Sequence, residues 1–242
     1  MVKQPYVVVF DIETQDKITS MPGNCRYDQV SALQVSCLSY LTIPSARLFD
    51  SEDARRAVDE AEVTTLWRDV DVDGHGPFAK LFEAFDGAEV IAAYNGYDFD
   101  FPVLHKHATR LRNESFLKRG HDPFARLRAT TQVWYKLDNL LKANHLETKT
   151  ANGLEAIKMW EDGRREELAS YCAADVKALS RLLVLPELSL PGTQSTMPNS
   201  VFGLASAVSA ARTSALMVRK RRLDTETGDG GVVPNAAPGI VI

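Results

Sequence analysis

The chain has 242 residues, 45% of them hydrophobic and 25% charged, with a formal net charge of −4. This length can bury one sizeable core. The acidic balance excludes a uniformly basic nucleic-acid coat, so any nucleic-acid contact must come from local positive patches. Three cysteines, Cys25, Cys37 and Cys172, are odd in number and form no C-x-x-C pair, which argues against a disulfide framework or zinc cluster and for a reducing, intracellular compartment. A short polar stretch precedes the first apolar run, predicting no secretory leader, and no apolar run approaches the roughly 20 residues of a membrane helix, so no membrane partner is expected.

The first element is Val7-Val8-Val9-Phe10-Asp11-Ile12-Glu13-Thr14. Its continuous apolar run predicts a strand buried on both faces. Alternate side chains share a face, so Asp11 and Glu13 point the same way. Two like charges at the end of a buried strand repel each other unless a cation sits between them, and hard ions such as Mg²⁺ or Mn²⁺ favour carboxylate oxygens. A polar stretch follows, with a turn expected over residues 21–24. Residues 31–41 read as a strand, with residues 46–49 as its hairpin partner. Residues 50–73 are acidic and partly helical. Asp71 to Gly76 superficially suggests a calcium loop but lacks the spaced ligands and terminal Glu of an EF-hand.

Phe78, Leu81, Phe82 and Phe85 fall at helical spacing, with Gly87 as the stop. Residues 89–94 predict a buried strand, broken at Asn95-Gly96, and a helix is expected from about Tyr97 into Arg112. Lys106 to Arg128 is basic, with seven Lys or Arg, and with His107 and His121 inside it and His105 just before it, a candidate phosphate-facing surface. Phe124 to Leu127 is the best candidate for a fifth strand. Helices are expected over residues 130–144, 154–160 and 165–185. The last of these has an apolar stripe of Leu168, Tyr171, Cys172, Val176, Leu179 and Leu183 and is stopped by Pro186. From Gly192 small and polar residues dominate. The expected division is therefore a domain over residues 1–190 and a flexible tail over 191–242, with a loose helix over 201–218. The tail carries the basic cluster Arg219-Lys220-Arg221-Arg222, which would admit a nuclear as well as a cytoplasmic location.

Three further acids complete a pattern. Asp98 and Asp100 both lie just after the Asn95 break, and Asp100 would face the end of the first strand if the two strands are neighbours. Tyr171 and Asp175 lie one helical turn apart on one face, and an Asp on the apolar side of a helix needs a reason for burial. The order D-x-E, N-x-x-x-F-D and Y-x-x-x-D resembles the three motifs of the tyrosine-type DEDD 3′–5′ exonucleases of the ribonuclease H-like superfamily. Asp11 and Glu13 match the first motif, Asp100 the second, and Tyr171 with Asp175 the third. Asp100 is preferred to Asp98 because the family places an aromatic, here Phe99, just before the acid. The stretch Asn152-Gly153-Leu154-Glu155-Ala156-Ile157-Lys158-Met159-Trp160, followed by Glu161 to Tyr171, resembles a branch of exonuclease domains related to polymerase proofreading domains and often associated with helicases. The match covers roughly residues 5–186.

The resemblance implies an α/β, ribonuclease H-like fold: a central mixed five-stranded sheet flanked by helices. It implies two Mg²⁺ or Mn²⁺ ions held by Asp11, Glu13, Asp100 and Asp175, with Tyr171 orienting the attacking water, and Thr14, Asn95 and Phe99 near the substrate. It implies a single-stranded nucleic-acid 3′ end as substrate and a polymerase or helicase as partner. A non-catalytic nucleic-acid-binding module or a structure-selective endonuclease on the same scaffold would use the same fold.

Overall fold

The computed structural model describes residues 4–20, 26–71, 74–147 and 153–226. The turn expected at residues 21–24, together with Cys25, lies outside them, as do residues 72–73, Asn152 and residues 227–242. The side chains of the basic cluster at 219–222 are also outside the described part.

The predicted first strand is β1, Tyr6–Thr14, and it is the middle of a five-stranded sheet. Its neighbours are β2, Val35–Pro44, which runs antiparallel, and β4, Ala88–Ala92, which runs parallel. The edges are β3, Thr64–Trp67, antiparallel to β2, and β5, Gly120–His121, parallel to β4. The sheet order is β3-β2-β1-β4-β5. The alternation of β1 divides the molecule into two layers. Val7 and Val9 point into one core with Leu41, Ile43, Val90 and Leu179. Val8, Phe10 and Ile12 point into the other with Leu38, Phe85, Ile91 and Phe101. Phe10 is fully buried, with the rings of Phe85 and Phe101 edge-on at 4.9 and 5.5 Å. Burial on both faces is why this run shows no polar alternation until Asp11.

The helices fill both layers. On the Val8 side lie α1, Arg26–Ala32, α3, Ala79–Gly87, α4, Asp100–Leu104, and α5, Arg110–Lys118. On the Val7 side lie α2, Ser51–Glu60, α6, Pro123–Thr131, α7, Leu137–Ala143, and α9, Arg165–Leu183, with α8, Gly153–Glu161, packed on α9. Asp50 caps α2, its carboxylate accepting from the amides of Glu52 and Asp53 at 3.0 and 2.8 Å. Among the described residues no helix is long and apolar enough to cross a membrane.

Several sequence expectations are corrected. Residues 46–49 lie in the 3-10 helix Ser45–Phe49, and the strand that pairs with β2 is β3 instead. Ser31 and Ala32 end α1 rather than starting a strand. Phe124–Leu127 is helical within α6, because Asp122 caps that helix and Pro123 opens it, so the fifth strand is the two residues before the cap. The helix expected over 130–144 is interrupted at Gln132, which has a left-handed φ of 60°. The helix expected from Tyr97 to Arg112 is split into α4 and α5. Asp71 accepts the Gly76 amide at 3.1 Å, closing a turn.

Residues beyond 190 are not a free tail where they are described. β6, Glu187–Ser189, pairs with β7, Thr196–Pro198, and α10, Leu204–Glu226, follows. Phe202, Leu204 and Val208 are fully buried in the Val7-side core. Arg212 holds Glu89 of β4 in a two-pronged ion pair at 2.9 and 3.0 Å. His121 of β5 reaches the Phe202 carbonyl through Nε2 at 2.6 Å.

Nε2 carries the proton in that bond, and Nδ1 is buried without a partner. Burial pushes the His121 pKa down to about 4. The folded value lies below the unfolded value near 6.5, so His121 adds full stability above that pH and loses it as pH falls toward 4. The change amounts to about 3 kcal/mol. Urea midpoints at pH 7 and pH 4.5 should therefore fall further for the wild type than for His121→Gln. Equal falls would mean that this histidine stays neutral at little cost.

Candidate metal centre

The layers of β1 determine where its acids go. Asp11 and Glu13 continue the Val7–Val9 row, so they face the side on which α9 packs. In register, Asp11 lies opposite Ser39 and Glu13 opposite Cys37, and the pairing shifts between Glu13 and Thr14. A ligating atom from each of Asp11, Glu13 and Cys172 lies within 4.8 Å of the others. Cys172 is on α9, and its thiol donates to the Asp11 carbonyl at 3.6 Å. Burial, then the neighbouring Cys37 thiol, then the charges of Asp11 and Glu13 push the Cys172 thiol well above its usual range. Hard divalent ions favour the two carboxylates over the softer sulfur. Cys37 and Cys172 are both free thiols.

The parallel pairing of β1 with β4 brings the second acid in. Val9 pairs with Ala92, the last residue of β4, so β4 ends just short of Asp11. The chain turns through Tyr94–Phe99 and enters α4 at Asp100. Asn95 takes a left-handed φ of 63° there. Gly96 has no room for a side chain, since a Cβ would sit 2.7 Å from that of Ala93. Asp122 fixes the turn: its carboxylate accepts from the amides of Asn95 at 3.0 Å, Tyr97 at 3.1 Å and Ala125 at 3.2 Å. Sequence reasoning missed this clamp, although the Asp-Pro pair that opens α6 was a visible cap signal.

Asp100 is 2% exposed. Burial, then the charge of Asp11, then that of Asp122 push its pKa well above the usual carboxylate range, against the pull of its own amide and that of Ile12. Its Oδ1 is buried without a hydrogen-bond partner. Asp98, its rival in the sequence, is exposed. Tyr171 and Asp175 are both buried on α9, on either side of Cys172. Neither Asp100 nor Asp175 belongs to the 4.8 Å group. Thr14 is buried, its hydroxyl donating to the Asp16 carbonyl at 3.1 Å. Phe99 is half-buried against the Val8-side core. Asn95 and Tyr171 line a cleft of about 920 Å³, which reaches the turn before Asp100 and the helical turn before Asp175.

The residues fit a hard divalent cation. Two carboxylates converge, and a third, beside Asp11, has a buried oxygen with no bond to make. Such a group needs a proton or a cation. Asp100→Asn should raise the thermal midpoint in chelator, by on the order of 1 kcal/mol of stability, because the buried charge is gone. It should also blunt the rise that Mg²⁺ or Mn²⁺ gives the wild type. Melting curves with and without the ions check both parts; an unchanged midpoint in chelator would show that the Asp100 charge is compensated.

The family model described as RNase_H superfamily matches residues 57–185, just over half of the chain. Asp100, Tyr171 and Asp175 lie inside the match, and β1 with Asp11 and Glu13 lies before it. No curated protein matches the chain. With the mixed five-stranded sheet in the order described, and helices on both faces, the chain belongs to the ribonuclease H superfamily.

Proposed function

We propose that the protein is a metal-dependent 3′–5′ exonuclease that hydrolyses phosphodiester bonds of DNA or RNA. The observation that carries the reading is the meeting of β1, the β4–α4 turn and α9: paired Asp11 and Glu13, buried Asp100 beside Asp11, and Tyr171 with Asp175 on the helix that packs against β1. Membership in a superfamily of nucleic-acid hydrolases supports it.

Asp11, Glu13, Asp100 and Asp175 would hold the divalent ions, Mg²⁺ or Mn²⁺. When bound, these supply Lewis-acid stabilisation of the charge that develops on the phosphoryl oxygens and lower the pKa of a water. The Tyr171 hydroxyl would hold the attacking water in line with the scissile bond, an orienting role that needs no loss of its own proton. The water oxygen bonds to phosphorus as its proton passes to solvent, and the bond to the 3′ oxygen breaks as that oxygen takes up a proton from solvent, releasing a nucleoside 5′-monophosphate and leaving a 3′ hydroxyl on the shortened strand. Asn95, whose turn is fixed by Asp122, and Phe99, packed beneath it, keep Asp100 in place.

The test is incubation of 5′-labelled single-stranded DNA and RNA with Mg²⁺, Mn²⁺ or chelator. The expected result is a metal-dependent ladder shortening from the 3′ end, absent for Asp11→Asn and Asp175→Asn and slowed on the order of 10²-fold for Tyr171→Phe. A circular single strand should survive intact. Cutting of the circle would replace the exonuclease with an endonuclease, and full activity of either Asp variant would remove that residue from the site.

A further inference from the structure

We propose that Trp134 is a stacking platform for the bases of a single-stranded nucleic acid lying in the cleft that Asn95 and Tyr171 line. The proposal rests on the nuclease reading only for what happens at the end of the strand; the platform itself is tested by binding. Trp134 lies between α6 and α7, in the segment that the left-handed Gln132 turns outward. It is 62% exposed. An indole left so open on an acidic protein invites a partner with a flat apolar face.

The indole is held from behind. The Arg128 guanidinium lies over its ring, 3.9 Å from the centroid, and the Phe124 ring meets it edge-on at 5.4 Å. Phe124 in turn packs on Tyr94 at 5.6 Å, and the Tyr94 hydroxyl donates to the Tyr135 carbonyl at 2.5 Å. Tyr94 directly precedes Asn95, so this chain of aromatics fixes Trp134 to the turn that carries Asp100. A surface held in place this way pays little entropy when a base stacks on it.

The charge around the cleft selects a polyanion. Arg26, Arg128 and Lys136 are exposed beside it and form no ion pair with any described residue. Of the two acids that line it, Asp138 is paired with Lys142 at 2.6 Å, which leaves Asp98 against Arg26 and Lys136 of the lining, with Arg128 added where it lies over Trp134. Phosphates with unpaired bases satisfy both the cations and the indole. A duplex hides its base faces within its own stack, and an acidic peptide offers the charge without the rings.

The experiment measures binding of the full chain in chelator, where no cleavage occurs, by fluorescence anisotropy. The probes are a labelled oligothymidylate, an abasic deoxyribose-phosphate strand of the same length, and polyglutamate. The wild type should bind oligothymidylate more tightly than either of the others. Trp134→Ala should weaken oligothymidylate about tenfold, as expected for one lost base stack, and leave the abasic strand within about twofold. Trp134→Phe should recover most of the loss, which a fold defect would not allow. Equal binding of oligothymidylate by the wild type and Trp134→Ala, equal losses on both strands, or a wild type that prefers polyglutamate would each overturn the platform. Base-dependent binding without metal-dependent cleavage would sink the exonuclease and keep the platform; cleavage with no effect of Trp134 on binding would do the reverse.

Discussion

Everything in this fold depends on burying β1 on both faces. Its side chains from Val7 to Phe10 are all apolar and fully buried, and the first polar one, Asp11, is half-buried, while Ile12 beyond it still lies in the core. The two layers that enclose Val7 to Phe10 therefore also determine what surrounds the first acids. α9 crosses the Val7 face and brings Tyr171, Cys172 and Asp175, while the parallel neighbour β4 ends one step earlier and turns back through Asp100. The acids lie at the end of the buried run, where Glu13 and Asp100 are themselves buried, in surroundings dry enough to strengthen their repulsion. The raised pKa and orphan oxygen of Asp100 record that cost locally. The cores on either side offset it, with fully buried aliphatic side chains contributing roughly 1.5–3 kcal/mol each.

What was legible in the sequence follows the same division. β1 could be read because its apolar run is unbroken, and α9 because its stripe of Leu168, Cys172, Val176 and Leu179 repeats at helical spacing. Of the two acids after the Asn95 break, Asp100 is buried and Asp98 exposed. β3 and β5 were not legible. Thr64–Trp67 is half-buried at one edge and has no alternation, and Gly120–His121 is too short to show a period. After residue 190 the loose helix expected over 201–218 is present within α10, but its packing against the core was not legible. A helix that begins Leu-Ala-Ser-Ala-Val-Ser-Ala-Ala has the composition of a linker. Those small residues instead let it lie close against the sheet, where Leu204, Ala207 and Val208 are buried.

The basic stretch from Lys106 to Arg128 shows how a charge run can be divided between structure and surface. Lys106 donates to carbonyls at the end of α1, among them those of Leu33 and, at 3.3 Å, Ala32. Arg119 reaches the carbonyls of Phe85 and, at 2.7 Å, Ala88, where α3 passes into β4. Arg112 is paired with Asp86 at 2.6 Å. Lys106 and Arg119 thus satisfy backbone groups that helix ends leave bare, and Arg112 is neutralised by a carboxylate, so these three are committed within the fold. Arg128, by contrast, is left for Trp134. In a chain of net charge −4, a few unpaired cations at one cleft matter more than the total count.

The helix that supplies the last two acid-motif residues is itself anchored away from the site. Lys177 donates to the carbonyls of Val58, Asp59 and Ala61, capping the end of α2, and Arg181 pairs with Asp59 at 3.1 Å. Both lie in the half of α9 beyond Asp175. At the other end Arg165 pairs with Asp69, just past β3, and its guanidinium lies 5.1 Å from the Trp67 ring and 5.0 Å from that of Trp160. Tyr171, Cys172 and Asp175 thus sit in the span between two fixed ends. A helix held at one end could pivot under the repulsion of the acids it faces. Held at both, it converts that repulsion into a standing demand for positive charge, which is the property a cation site requires before any ion arrives.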